Sequence, residues 1–158
     1  MNLIARHLRA DAIVLDATCA NKKRAFEQLA QLFEDRHGLA RSAAFDALFV
    51  RERMGSTGLG EGVAIPHGRV KGLKDTLCAV MRLAEPIPFE APDNAPVRLL
   101  VALMVPENAN QAHLDLLGEL AQMMSQAAFR QLLLSAADAS SVHKQFLLWQ
   151  PDALGGSD

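Results

Sequence analysis

The sequence predicts an α/β domain in which a mixed sheet is covered by helices on both faces. Three observations carry this. The segment 97–105, Val-Arg-Leu-Leu-Val-Ala-Leu-Met-Val, is apolar almost throughout and has β-branched ends, which suits a central strand buried on both sides. Apolar residues recur at three- and four-residue steps over 22–37 and again through the last third of the chain, as on amphipathic helices. Shorter strand-like runs stand between these helical stretches. The 158 residues fit one domain, taken as 1–150, with an expected flexible tail at 151–158 that opens on Pro151.

Taken in order, the apolar run 12–15 ends at Asp16 and reads as a first strand. Thr18 or Asn21 can cap a helix over 22–37, whose apolar face is Ala25, Phe26, Leu29, Leu32 and Phe33 and whose end is closed by Gly38. Ser42 can cap a second helix that passes Phe45, Leu48, Phe49 and Arg51 and stops near Gly55. The stretch 55–62 holds four glycines and reads as loop. A strand over 63–65 is stopped by Pro66. The run 76–83 reads as another strand, and the proline-punctuated stretch 85–96 as mostly loop. After the central strand, helices are expected near 113–124, 129–136 and 142–149.

Bulk properties exclude several classes of function. Sixteen basic against eighteen acidic residues, net −2, leave no global footprint for nucleic acid. Seven Phe, one Trp and no Tyr make a poor base-stacking platform. Cys19 and Cys78 lack zinc or disulfide spacing and read as free buried thiols. No apolar run approaches the roughly 20 residues of a membrane helix. Arg6 and Arg9 are followed by a stretch cut by Asp11 and Asp16, a poor signal-peptide core. A cytoplasmic protein without membrane insertion is expected.

Six of the ten glycines lie between Gly55 and Gly72, and this region carries the chemistry. Arg51-Glu52-Arg53-Met54-Gly55-Ser56-Thr57-Gly58 runs on to Gly62-Val63-Ala64-Ile65-Pro66-His67-Gly68. An arginine, two hydroxyls, flexible backbone amides and a histidine behind a proline are the parts of an oxyanion site. Glu61 stands where a P-loop needs lysine, the G-x-G-x-x-G step is wrong, and G-x-S-x-G is absent. A histidine remains as the reacting group, since its neutral form is abundant at pH 7. His113 opens a helix after the central strand, where anions are favoured, and is the second candidate. His7, His37 and His143 suit surface or capping roles. His67 and His113 lack a third ligand for zinc.

This stretch resembles the phosphorylation-site signature of enzyme IIA of the phosphoenolpyruvate phosphotransferase system, fructose/mannitol class. Pro86-Ile87-Pro88-Phe89 with Asp93-Asn94, and Leu103-Met104-Val105-Pro106 followed by Ala112-His113-Leu114, are similar to the nitrogen-regulatory type. The resemblance implies a three-layer α/β/α sandwich around the mixed sheet. It implies that His67 accepts a phosphoryl group on Nε2, with Nδ1–H bonded to a backbone carbonyl, that His113 steadies the group, and that Arg51 belongs to the pocket. It further implies phosphate contacts from Ser56, Thr57 and Gly58, no cofactor, and a phosphohistidine donor on a small HPr-like carrier. Met54, Leu59 and Val63 are expected to form an apolar collar for that donor, with Arg69, Lys71 and Lys74 on its rim. The regulatory type implies target proteins such as kinases or potassium transport components. The alternatives are the IIA subunit of a sugar permease and a non-catalytic interaction domain.

Overall fold

A computed structural model describes residues 2–108 and 110–151. The expected tail beyond Pro151 lies outside the described residues. The strands are β1 (Ile13–Ala17), β2 (Gly58–Gly60), β3 (Val63–Ala64), β4 (His67–Val70), β5 (Leu77–Ile87) and β6 (Val97–Pro106). The helices are α1 (Lys22–His37), α2 (Arg41–Glu52), α3 (Gln111–Ser125), α4 (Ala127–Ser135) and α5 (Ala139–Leu148), with short 3₁₀ turns at Ile4–Arg6 and Ala10–Ala12.

The sheet is mixed and open, with order β1-β5-β6-β3-β2. β4 also pairs β6, in parallel, beyond β3 on the same edge. Along β6 the side chains alternate between two cores, as the period of two requires. Leu100, Ala102 and Met104 join Phe26, Leu29 and Phe33 of α1 and Leu48 of α2. Leu99, Val101, Leu103 and Val105 join Leu116 and Leu120 of α3, Phe129 of α4 and Phe146 of α5. The expected three-layer sandwich is thus what the chain forms. Burying a large apolar side chain of this kind contributes about 1.5–3 kcal/mol.

α1 spans the expected residues; the Asn21 side chain accepts from the Arg24 amide, and Gly38 takes the left-handed conformation at φ 72°. The other boundaries differ in instructive ways. Ser42 does not cap α2. The helix starts at Arg41 after Ala40, which supplies no side-chain cap, and Glu34 of α1 instead accepts the Arg41 amide at 2.8 Å. The glycine stretch is not all loop, because Gly58–Gly60 forms β2 against β3. β5 runs through Pro86 to Ile87. Its pairing with β1 ends at Leu83, so no neighbour on that edge requires the amide that proline lacks. α4 and α5 start earlier than expected, α5 because Asp138 accepts the Ser141 amide at 2.8 Å. Cys19 and Cys78 are buried and free. Among the described residues no helix is long and apolar enough to cross a membrane.

Candidate functional site

The site is built where β4 meets the end of α2 and the start of α3. β3 and β4 follow one line along the edge of β6, broken at Ile65-Pro66. The break is held in place: the Ile65 amide donates to Thr57 O at 3.0 Å, and the Leu103 amide donates to Pro66 O at 3.0 Å. His67 pairs with Leu103 as the first residue of β4. Its Nδ1 lies 2.9 Å from Ile65 O. A carbonyl oxygen only accepts, so Nδ1 carries the proton and the neutral ring keeps its lone pair on Nε2. Burial draws the His67 pKa below the ordinary 6.5. The bond to Ile65 and the Glu52 charge oppose that shift, whereas Arg51 and Arg69 add to it.

Gly68 determines how near α2 comes. A Cβ placed on it would stand 2.6 Å from the backbone C and O of Ala47, so only glycine allows this contact between strand and helix. The close packing carries the last turn of α2, and Arg51 with it, to the cleft that His67 lines. Arg51 Nη1 donates to Gly55 O at 2.7 Å, which anchors the guanidinium across the turn that ends the helix.

His113 is set in the complementary way. Asn110 caps α3, its side chain accepting the Ala112 amide at 3.0 Å. The Asn110 amide in turn donates to His113 Nδ1 at 2.9 Å. Nδ1 of this neutral ring is therefore the acceptor, and the proton sits on Nε2. One cleft of about 880 Å³ is lined by both rings, by Arg51, Arg69 and Lys71, and by Asp46 as its one acidic residue. It therefore holds a ring nitrogen with a free lone pair, an imidazole N–H donor and three cationic side chains. Such a set matches a tetrahedral anion that bonds to one nitrogen. Among the described residues no group of three or more His, Cys, Asp or Glu side chains is placed to hold a metal.

The cleft brings together His67, His113, Arg51, Met54, Arg69 and Lys71 of the expected site. The remaining expected residues lie outside its lining. Ser56 Oγ donates to Phe89 O at 2.9 Å and accepts the Gly58 amide at 3.1 Å. Thr57 is buried, and its hydroxyl donates to Glu52 Oε1 at 2.7 Å. These hydroxyls shape the loop from beneath. Gly58 packs on Ala91, where a Cβ would meet the alanine Cβ at 2.8 Å. Val63 is buried in the core, and Leu59 sits on the edge strand β2. Lys74 lines a smaller neighbouring cavity with His7, His113 being common to both. The exposed apolar side chains that line the cleft are Met54, Val50 and Leu114, exposed by 79%, 56% and 61%. Val50 and Leu114 were legible as apolar residues one turn from Met54 and directly after His113. His37 and His143 each reach a backbone carbonyl, of Cys78 and Leu8, at 3.1 Å.

The family model of the phosphoenolpyruvate-dependent sugar phosphotransferase system, EIIA 2, matches residues 6–148. The chain belongs to this family. Within it, the chain is 42% identical over 125 residues to a nitrogen regulatory protein of Pseudomonas aeruginosa, covering 78% of this chain and 81% of that one. It is 35% identical over 133 residues to the fructose-specific EIIA component of Haloferax volcanii, covering 84% and 86%. The crystal structure of the nitrogen regulatory protein IIA-Ntr from Neisseria meningitidis superposes with a TM-score of 0.86 at 44% identity, covering 91% of this chain and 99% of that one. IIA mannitol from Escherichia coli, at 22% identity and a TM-score of 0.73, shares the fold, with 87% and 97% covered.

Proposed function

We propose that the protein is a phosphoryl carrier with a regulatory role, taking a phosphoryl group on Nε2 of His67 from a phosphohistidine of an HPr-like protein. The observation that carries this is the opposite tautomer of the two rings in one cleft: His67 presents a lone pair and His113 an N–H. In the transfer, the His67 Nε2 lone pair forms the new N–P bond in line as the donor's N–P bond breaks. The bonding pair returns to the donor nitrogen, leaving a neutral imidazole there. Nδ1 of His67 keeps its proton throughout. Such transfer passes through a loose transition state in which the protein mainly positions groups and balances charge. Arg51 and the His113 Nε2–H balance the equatorial oxygens, and Met54, Val50 and Leu114 meet the donor's surface.

The regulatory reading rests on likeness to proteins named nitrogen regulatory at 42% and 44% identity, above the 35% of the fructose-specific component. The phosphorylated and free forms then differ by roughly one to two negative charges at the cleft mouth, a difference that target proteins such as kinases or potassium transport components can read. The protein acts in the cytoplasm, where its donor is. Incubation with phosphoenolpyruvate, enzyme I and an HPr-like carrier tests the proposal. Acid-labile, base-stable label is expected on the wild type and absent from His67→Ala. An unlabelled wild type overturns the carrier reading. Restored sugar uptake by a permease that lacks its own IIA would favour the transport alternative.

A further inference from the structure

We infer that Glu52, acting through Thr57, is a positioning residue that aims the His67 ring and holds its tautomer; this rests on His67 being the phosphoryl acceptor. Glu52 ends α2 beside Arg51 but faces the interior, its side chain 5% exposed. Three donors converge on its carboxylate. Lys22 Nζ lies 2.9 Å from Oε2, the Thr57 amide 3.0 Å from Oε2, and the Thr57 hydroxyl 2.7 Å from Oε1. Lys22 itself sits over the Phe89 ring at 4.4 Å. A buried carboxylate is costly unless it is fully bonded, so this one holds its donors firmly.

The connection then continues outward to the nucleophile. Thr57 O accepts the Ile65 amide at 3.0 Å, and Ile65 O accepts His67 Nδ1–H at 2.9 Å. Hydrogen bonds relayed through the backbone of Thr57 and Ile65 therefore join α1, the end of α2, the glycine-rich turn and the reacting ring. The same residue anchors the cation. The Gly55 amide donates to Glu52 O at 3.1 Å, and Gly55 O is the acceptor that fixes Arg51. Nucleophile and guanidinium are thus held by one residue that neither lines the cleft nor touches the phosphoryl group. Its charge also has a direction. Among the groups acting on His67, Arg51 and Arg69 disfavour the charged ring and Glu52 favours it.

The test uses the full chain with Thr57→Val, Thr57→Ser and Glu52→Gln. It reads the ¹⁵N shifts of the unphosphorylated His67 ring, the kcat and KM for the HPr-like donor, and the melting temperature. Thr57→Val keeps the volume and removes the hydroxyl; Thr57→Ser restores it. Wild type and Thr57→Ser are expected to show a single Nδ1–H tautomer. Thr57→Val and Glu52→Gln are expected to show averaged ring shifts and a roughly tenfold loss of kcat, with KM changed by no more than about twofold. Variants that melt earlier but keep the wild-type ring shifts and kcat would overturn the positioning role. Failure of phosphotransfer to the wild type itself would instead overturn the acceptor reading, and the ring shifts would still decide whether Glu52 holds the tautomer.

Discussion

β4 and the first turn of α3 deliver one histidine each to the same cleft, by different means. His67 depends on distant partners: Leu103 across the sheet, Ala47 beneath Gly68, and Ile65 held by Thr57. His113 depends on Asn110, three residues away. The difference suits the role proposed for each ring. An attacking nitrogen must be aimed within a narrow range of distance and angle, which a strand paired with β6 and packed against α2 supplies. A donor that follows the phosphate oxygens needs only the right tautomer, and a helix cap supplies that locally.

Substitutions at either histidine separate the two arrangements. The largest expected effect is complete loss of phosphoryl label in His67→Ala. His113→Ala is expected to slow transfer by roughly 10²-fold without abolishing it, and to cost about 1 kcal/mol in denaturant unfolding because the capping bond is lost; an unchanged rate would remove His113 from the site. Gly68→Ala forces α2 from β4, with an expected cost of about 1–3 kcal/mol and slower transfer because Arg51 moves with the helix. Wild-type stability in that variant would show that the contact yields.

Acid sharpens the same contrast. The folded pKa of His67 lies below 6.5, so between the two values the unfolded chain binds more protons. The contribution of neutral His67 is therefore complete above the unfolded pKa and is lost as pH falls through the folded one. Denaturation midpoints across that window should fall less steeply in His67→Gln than in the wild type. The smallest effect is expected of Ser56→Ala, about 1 kcal/mol of stability with kcat unchanged. A slowed transfer there would return Ser56 to the phosphate.

The parts legible in the sequence were those governed by local pattern. α1 followed from its 3.6-residue period with Asn21 and Gly38 at its ends, and β6 from its unbroken apolar run. His67, His113 and Arg51 stood out by residue type and order. What escaped was settled by tertiary partners. Ser42 has the chemistry of a cap, but Glu34 of another helix already takes the first amide. Ser56 and Thr57 have the chemistry of phosphate ligands, but Phe89 O and Glu52 take their hydroxyls. Glu52 stands in the sequence as a charged residue between Arg51 and Arg53. Only its burial and its link to Lys22, thirty residues earlier, reveal what it holds.

NMR of the phosphorylated protein with ¹⁵N-labelled histidine tests transfer to Nε2 of His67 directly. Coupling to ³¹P at Nε2 of His67, with the proton still on Nδ1, is the predicted result. Coupling at Nδ1 of His67, or on the His113 ring, would contradict it.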